Sequence, residues 1–275
     1  MDHATSTPSR PTGTDSFGAH LRYWRQRRRL SQLALAAQAD LSTRHLSCVE
    51  TGRALPGRDV VLRLAERLEV PLRERNTLLV AAGYAPMYQQ RRLDEPSMAV
   101  PRRAIELLLK AHEPYPALAI DRHWTLVTAN AMVPLFLAGV DPSLLEGTVN
   151  VLRLSLHPKG LAPRIANLRP WRQHLLERLQ HEIAITGDQV LIDLHQELAS
   201  YPLPAVHHPA PASPAPDLAG LVVPVQLVTE AGILSFISTT TVFGTPVDVT
   251  LQELAIESFF PADEATAVAL RQLRA

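Results

Sequence analysis

Between Ser31 and Arg53 the chain writes two short helical patterns around a tight turn, and this stretch limits its fold more than any other. Ser31 can cap the first pattern, its side-chain oxygen accepting an N–H that the helix start leaves free. Leu35, Ala36 and Ala39 then fall on one face, and the small alanines let another helix cross closely. Asp40 stands at the turn, which calls for a left-handed backbone that aspartate tolerates better than most residues. Ser42 caps the second pattern, Leu46 and Val49 are its inward pair, and Gly52 stops it. Its outward residues are Thr43, Arg44, Ser47 and Cys48, small or polar side chains around one long cation.

The flanks extend this pattern. Asp15 or Ser16 caps an earlier helix with the stripe Phe17, Leu21 and Trp24, and five arginines crowd its other faces and its end. After Pro56-Gly57, Asp59 reads as the cap of a fourth helix with Leu64, Ala65 and Leu68 inward. Pro71 opens a fifth, closed by Gly83 and Pro86. Residues 16–85 therefore read as a compact all-α domain of five helices.

Two helices with a polar second helix form the design of a helix-turn-helix, whose second helix enters the DNA major groove. Arg44 has the fork that donates two bonds to guanine, worth about 1–3 kcal/mol of base discrimination. Thr43 offers thymine a methyl or phosphate a hydroxyl, and the N–H groups after Ser42 favour phosphate. Arg53 and Arg58, after the third helix, are candidates to neutralise phosphates. Charge agrees: residues 1–92 hold 15 Arg against 8 acids, and the remainder holds 12 basic residues against 19 acids. A basic half and an acidic half imply that one part meets a polyanion and the other does not.

The run Ser31-Gln32, Leu35-Ala36, Ser42, Leu46-Ser47, Val49-Glu50, Gly52-Arg53 and Pro56 resembles the Xre/phage-repressor family of helix-turn-helix proteins over residues 17–83. The resemblance implies a lambda-repressor-like domain bound to double-stranded DNA. It implies that Gln32 grips a phosphate, that Thr43, Arg44 and Ser47, with Cys48 beside them, face base edges, and that Arg25 and Glu50 form an internal ion pair. Asp40 stands where the family usually has glycine. A homodimer would set two reading helices in successive major grooves, about 34 Å apart.

Residues 86–100 read as a linker, and 101–275 as an α/β domain. A helix over Arg102 to His112 is followed by strands at 117–120 and 125–128 around a turn at Asp121-Arg122-His123. Asn130-Ala131 opens a short helix, Met132 to Leu137; longer helices span 168–185 and 188–200. Tyr201 to Pro216 carries six prolines and reads as a loop. Leu221–Val228 and Ile233–Val242 form a hairpin about Glu230-Ala231-Gly232, and two final helices begin near Leu251 and after Pro261. A sheet packed on helices can keep an apolar cavity; the candidates to line it are Leu118, Ile120, Val127, Phe136, Leu156 and Ile237. The same positions can simply fill a core. Strand, turn, strand and Asn-Ala resemble the start of a PAS-type sensor. With the head-to-sensor order and the stretch from Phe243-Gly244-Thr245-Pro246 to Phe259-Phe260-Pro261-Ala262-Asp263, residues 101–273 resemble the ligand-binding domain of MmyB-like transcription regulators. That implies a PAS-like fold and a small apolar, fatty-acid-like ligand.

Other functions find little footing. Hydrophobic residues make up 46% of the 275, which excludes wholesale disorder. Cys48 is the one cysteine, so no internal disulfide forms. There is no Gly-x-Ser-x-Gly, phosphate loop, dinucleotide fingerprint or His-Glu-x-x-His, and His207-His208 lacks metal-ligand spacing. The expectation is a non-enzyme with no catalytic residue, cofactor or metal. Residues 1–15 read as a disordered lead without a signal core, and no apolar run reaches the ~20 residues of a membrane span. A cytoplasmic protein is expected. Two alternatives stay open: a second domain that only dimerises, or one with metal or enzymatic chemistry.

Overall fold

The computed structural model of the chain describes residue 11 and residues 15–203, 223–244, 246 and 248–273. Two units can be distinguished: Met1–Arg92 with Thr245–Gln252, and Leu93–Gly244 with Glu253–Ala275. Most of the expected lead, and the proline loop from residue 204 with His207-His208, lie outside the described residues.

The first unit holds α1 (Phe17–Arg27), α2 (Gln32–Gln38), α3 (Thr43–Glu50), α4 (Arg58–Arg67) and α5 (Leu72–Ala81). Three serines start the first three helices. Ser16 Oγ accepts from the Ala19 amide at 3.3 Å, Ser31 from Ala34 at 3.0 Å and Ser42 from His45 at 3.1 Å. Asp59 does not cap α4. Gly57 holds that position, and Asp59 sits in the first turn, where its charge faces the positive end of the helix. Asp40 takes the left-handed conformation at φ 52°. Leu21, Trp24, Leu35, Leu46, Leu64 and Leu68 are fully buried together, each contributing about 1.5–3 kcal/mol by leaving water.

Two features of this unit escape a reading of periodicity. Gly18 lies where α1 crosses α3, and a Cβ there would stand 2.3 Å from the Glu50 carbonyl oxygen. Pro71 brings no side-chain cap to α5; the Leu72 amide instead donates to Gln252 Oε1 at 2.7 Å. Gln252 ends a single helical turn, Val249–Gln252, which stands in place of the helix expected near Leu251. Its Thr250 hydroxyl donates to the Arg91 carbonyl at 2.6 Å.

The second unit runs α6 (Ala99–Ala111), β1 (Ala117–Ile120), β2 (Leu126–Ala129), α7 (Val151–Leu156), α8 (Leu168–Thr186), α9 (Gln189–Ser200), β3 (Val225–Thr229), β4 (Gly232–Val242), β5 (Ala255–Pro261) and α10 (Glu264–Leu273). A 3₁₀ turn, Val133–Phe136, replaces the expected helix over 132–137. The antiparallel sheet has the order β2-β1-β5-β4-β3, so the central strand is β5, which the sequence pattern does not predict. Ala255 and Glu257 are poor strand formers and interrupt the signal of Ile256, Phe259 and Phe260. Pairing on both sides forms the strand nonetheless.

Opposite residues share a face. Leu118, Glu257 and Thr240 stand in one row; Ala119, Ile256 and Thr241 stand in the next, on the other side. α6 covers that other side through Ile105 and Leu109. The Leu118 face packs against Trp171, Leu175 and Leu179 of α8 and Leu191, Leu194 and Leu198 of α9. Asn130, buried, ties the corner together: Oδ1 accepts from the amides of Ala117 and Met132, and Nδ2 donates to the carbonyls of Leu109 and Tyr115.

Candidate nucleic-acid interface and ligand cavity

In the first unit a buried carboxylate fixes α3. Arg25 Nε donates to Glu50 Oε1 at 2.6 Å and Arg25 Nη2 to Oε2 at 3.0 Å. Gln32 Nε2 donates to the same Oε2 at 2.7 Å, so one side chain joins α1, α2 and α3. Arg25 also donates to the Leu30 carbonyl at 2.8 Å, holding the α1–α2 turn. These charge-assisted bonds set the angle at which α3 leaves the core. Gln32, expected on phosphate, thus spends its amide N–H inside the unit, and only its backbone at the start of α2 and its other amide atoms remain for a phosphate.

The outer face of α3 is open. Ser42, Arg44, Arg53 and Arg58 are exposed, and Thr43, Ser47 and Cys48 are half-buried. Ser42 spends its oxygen lone pair on its own helix. Arg53 Nε rests on Thr51 Oγ1 at 3.2 Å, and that hydroxyl donates back to the Ser47 carbonyl at 2.7 Å. Arg28, in the same arginine cluster by sequence, faces inward instead. It donates to the carbonyls of Leu68 and Glu69, and burial lowers its pKa. The interface is therefore narrower than the count of arginines suggests.

In the second unit an apolar cavity of about 150 Å³ lies between the Leu118 face of the sheet and α7 and α8. Leu118, Phe136, Trp171, Leu175, Phe236 and Phe259 line it. Of the six side chains predicted from sequence, Leu118 and Phe136 reach it. Ile120 and Leu156 are buried in the same core without bordering the space. Val127 falls at a register shift between β1 and β2 and is 38% exposed. Ile237 stands opposite Phe260 on the other face; Phe236 and Ser238 hold the lining positions of β4. Alternation separates the two faces of β4, but which one is inside depends on the unpredicted β5.

Polar groups cluster at one end of the lining. Arg178 Nη2 donates to Glu257 Oε1 at 2.6 Å and Nη1 to Oε2 at 3.3 Å. Thr240 Oγ1 accepts from Arg178 Nη2 at 2.6 Å and donates to Glu257 Oε1 at 2.7 Å. The guanidinium carbon lies 4.5 Å from the centre of the Trp124 ring. Trp124 Nε1 donates to Glu182 Oε2 at 2.8 Å, and burial raises the pKa of that carboxyl. Sequence reasoning passed over Arg178 and Glu257. A signal for Arg178 exists: it shares the helical stripe of Trp171, Leu175 and Leu179, where a charge needs a partner.

Among the described residues, no three His, Cys, Asp or Glu side chains form a metal-holding group. No helix among them is long and apolar enough to cross a membrane. One unit thus leaves the outer face of a braced helix open, and the other encloses an apolar cavity. Residues 16–78 match a helix-turn-helix domain, and residues 101–273 match the MmyB-like transcription regulator ligand binding domain. The second match covers more than half of the chain, which belongs to that family. Both domains are of the transcription-regulator type. No curated protein matches the chain.

Proposed function

We propose that the chain is a homodimeric, sequence-specific transcription regulator whose DNA binding responds to a small, mainly apolar ligand in the cavity of the second unit. The observation that carries this reading is the exposed Arg44 face of α3, held from behind by the Arg25–Glu50–Gln32 brace. In this reading Thr43, Arg44 and Ser47, with Cys48 beside them, meet base edges. Gln32, Ser42, Arg53 and Arg58 lie towards phosphates. Two copies would read half-sites about 34 Å apart. A ligand acts only if it binds the DNA-competent and incompetent arrangements with different affinity.

Fluorescence anisotropy with a duplex from the region beside the protein's own gene tests the reading. Arg44→Ala is expected to weaken binding to that duplex roughly 10- to 100-fold while leaving a scrambled duplex little changed. Arg58→Ala is expected to weaken both alike and to flatten the salt dependence. Unaltered binding by the Arg44 variant removes Arg44 from base reading.

A further inference from the structure

The cavity can be read for the charge of its ligand, an inference that rests on its being a ligand site. Its lining carries one cation and one anion, and they answer each other. Both terminal nitrogens of Arg178 are committed to Glu257, and one also to Thr240. The third, Nε, lies 3.9 Å from Glu182. Trp124 covers the guanidinium face. A carboxylate ligand would find this cation's charge already balanced by Glu257, 5% exposed, with a second carboxylate, Glu182, close to Nε. It would then lose its hydration with no cation free to replace it, which is costly in an apolar site.

Uncharged groups fare differently. Ser238 Oγ lines the cavity and has no hydrogen-bond partner among the described residues. Ser155 Oγ, also in the lining, accepts from Trp171 Nε1 at 3.0 Å, so its own proton is left for an acceptor. Two hydroxyls against an otherwise apolar wall suit a molecule with an apolar body and one or two neutral polar atoms.

We infer that the cavity selects an uncharged amphiphile, such as an alcohol, ester, amide or lactone, and discriminates against the carboxylate of the same chain length. The size agrees with a compact molecule, since an engineered cavity of ~150 Å³ takes benzene. The fatty-acid-like ligand expected from sequence keeps its apolar body here and loses its charge.

Calorimetric titration of the full-length protein with octan-1-ol and with sodium octanoate at pH 7.5 tests the inference. The expected result is a Kd for octanol at least about tenfold lower than that for octanoate. Lowering the pH toward 5 should then tighten the acid as it protonates, while octanol, which controls for titration of Glu182, stays flat. Glu257→Gln leaves Arg178 without its anion and should narrow the preference; if that variant does not fold, the wild-type pH series carries the test. Octanoate binding as tightly as octanol at pH 7.5 overturns the selection for neutral ligands and leaves the cavity as a ligand site. Binding of neither probe overturns both.

Discussion

Each unit is built around an arginine fork on a buried carboxylate, and the two forks do different things. Arg25 grips Glu50 with bonds of 2.6 and 3.0 Å, and Arg178 grips Glu257 with bonds of 2.6 and 3.3 Å. Each carboxylate takes a third donor, Gln32 in one case and Thr240 in the other. The Arg25 side chain is 12% exposed and Arg178 is 24% exposed. The first pair sits among three helices in a filled core, the second beside open space. Identical chemistry is thus a brace where the surroundings are solid and a wall where they are hollow. The first unit presents its chemistry on the outer face that the brace leaves free. The second presents its chemistry inward.

The sharpest way to break this comparison is to remove the carboxylates. Glu50→Ala leaves the half-buried Arg25 and Gln32 without their shared acceptor and is expected to cost the first unit about 3 kcal/mol. Hydrogen exchange of the α1–α3 amides would read that loss. Glu257→Ala should cost the second unit less, about 1–3 kcal/mol, because water can enter the cavity and solvate Arg178, whose side chain is already a quarter exposed. Equal losses would show that the cavity does not soften the second pair.

Gly18 sharpens the same point. Alanine there would gain up to about 1 kcal/mol of helix propensity, but its Cβ would stand 2.3 Å from one backbone oxygen of α3 and 2.9 Å from another. Backbone cannot swing aside as a side chain can, so the clash wins and Gly18→Ala should destabilise by about 1–3 kcal/mol. Because the displaced atoms belong to Glu50 and Val49, DNA affinity should fall with stability. A thermal melt beside an anisotropy titration measures both.

The first unit was far more legible in the sequence than the second. Helix starts announce themselves locally: three serines precede three helices, and each caps as its spacing predicts. The Arg25–Glu50 pair followed from resemblance and stands in the structure. Gly18 did not, because a close crossing leaves no trace in periodicity. In the second unit α6, α8, α9 and α10 and four of the strands could be read, while α7 and β5 could not. The glutamate and alanine of β5 argue for helix until both neighbouring strands are in place. Without β5 the inner face of β4 is undetermined, which is why Ile237 was expected on the cavity and Phe236 and Ser238 were found there.

Arg44 offers a smaller effect on stability than either brace. It is exposed and has no packing role, so Arg44→Ala should leave unfolding within about 0.5 kcal/mol of wild type while DNA binding falls. A change in stability of the size seen for Glu50 would merge the reading surface with the brace that supports it.

The smallest expected effect lies beside the second fork and turns on sign. Burial raises the Glu182 pKa, so the folded state favours its neutral form, and ionisation works against folding as pH rises through the ordinary carboxylate range. Asp188 in the same unit runs the other way. The hydrogen bond from His123, helped by the Val190 amide and the charge of Arg122, lowers it to about 2. Its contribution is therefore present at neutral pH and lost as pH falls from about 4 toward 2. Glu182→Gln keeps an oxygen for Trp124 Nε1 and removes the charge. It should leave stability within about 0.5 kcal/mol at pH 7, tending upward, with any gain over wild type disappearing by pH 4. Asp188→Asn should instead lower stability at pH 7 and converge on wild type near pH 2. Urea melts of both variants across pH separate the two signs. A stabilising Asp188→Asn, or a loss of several kcal/mol in Glu182→Gln, would reverse the sign assigned to that carboxylate.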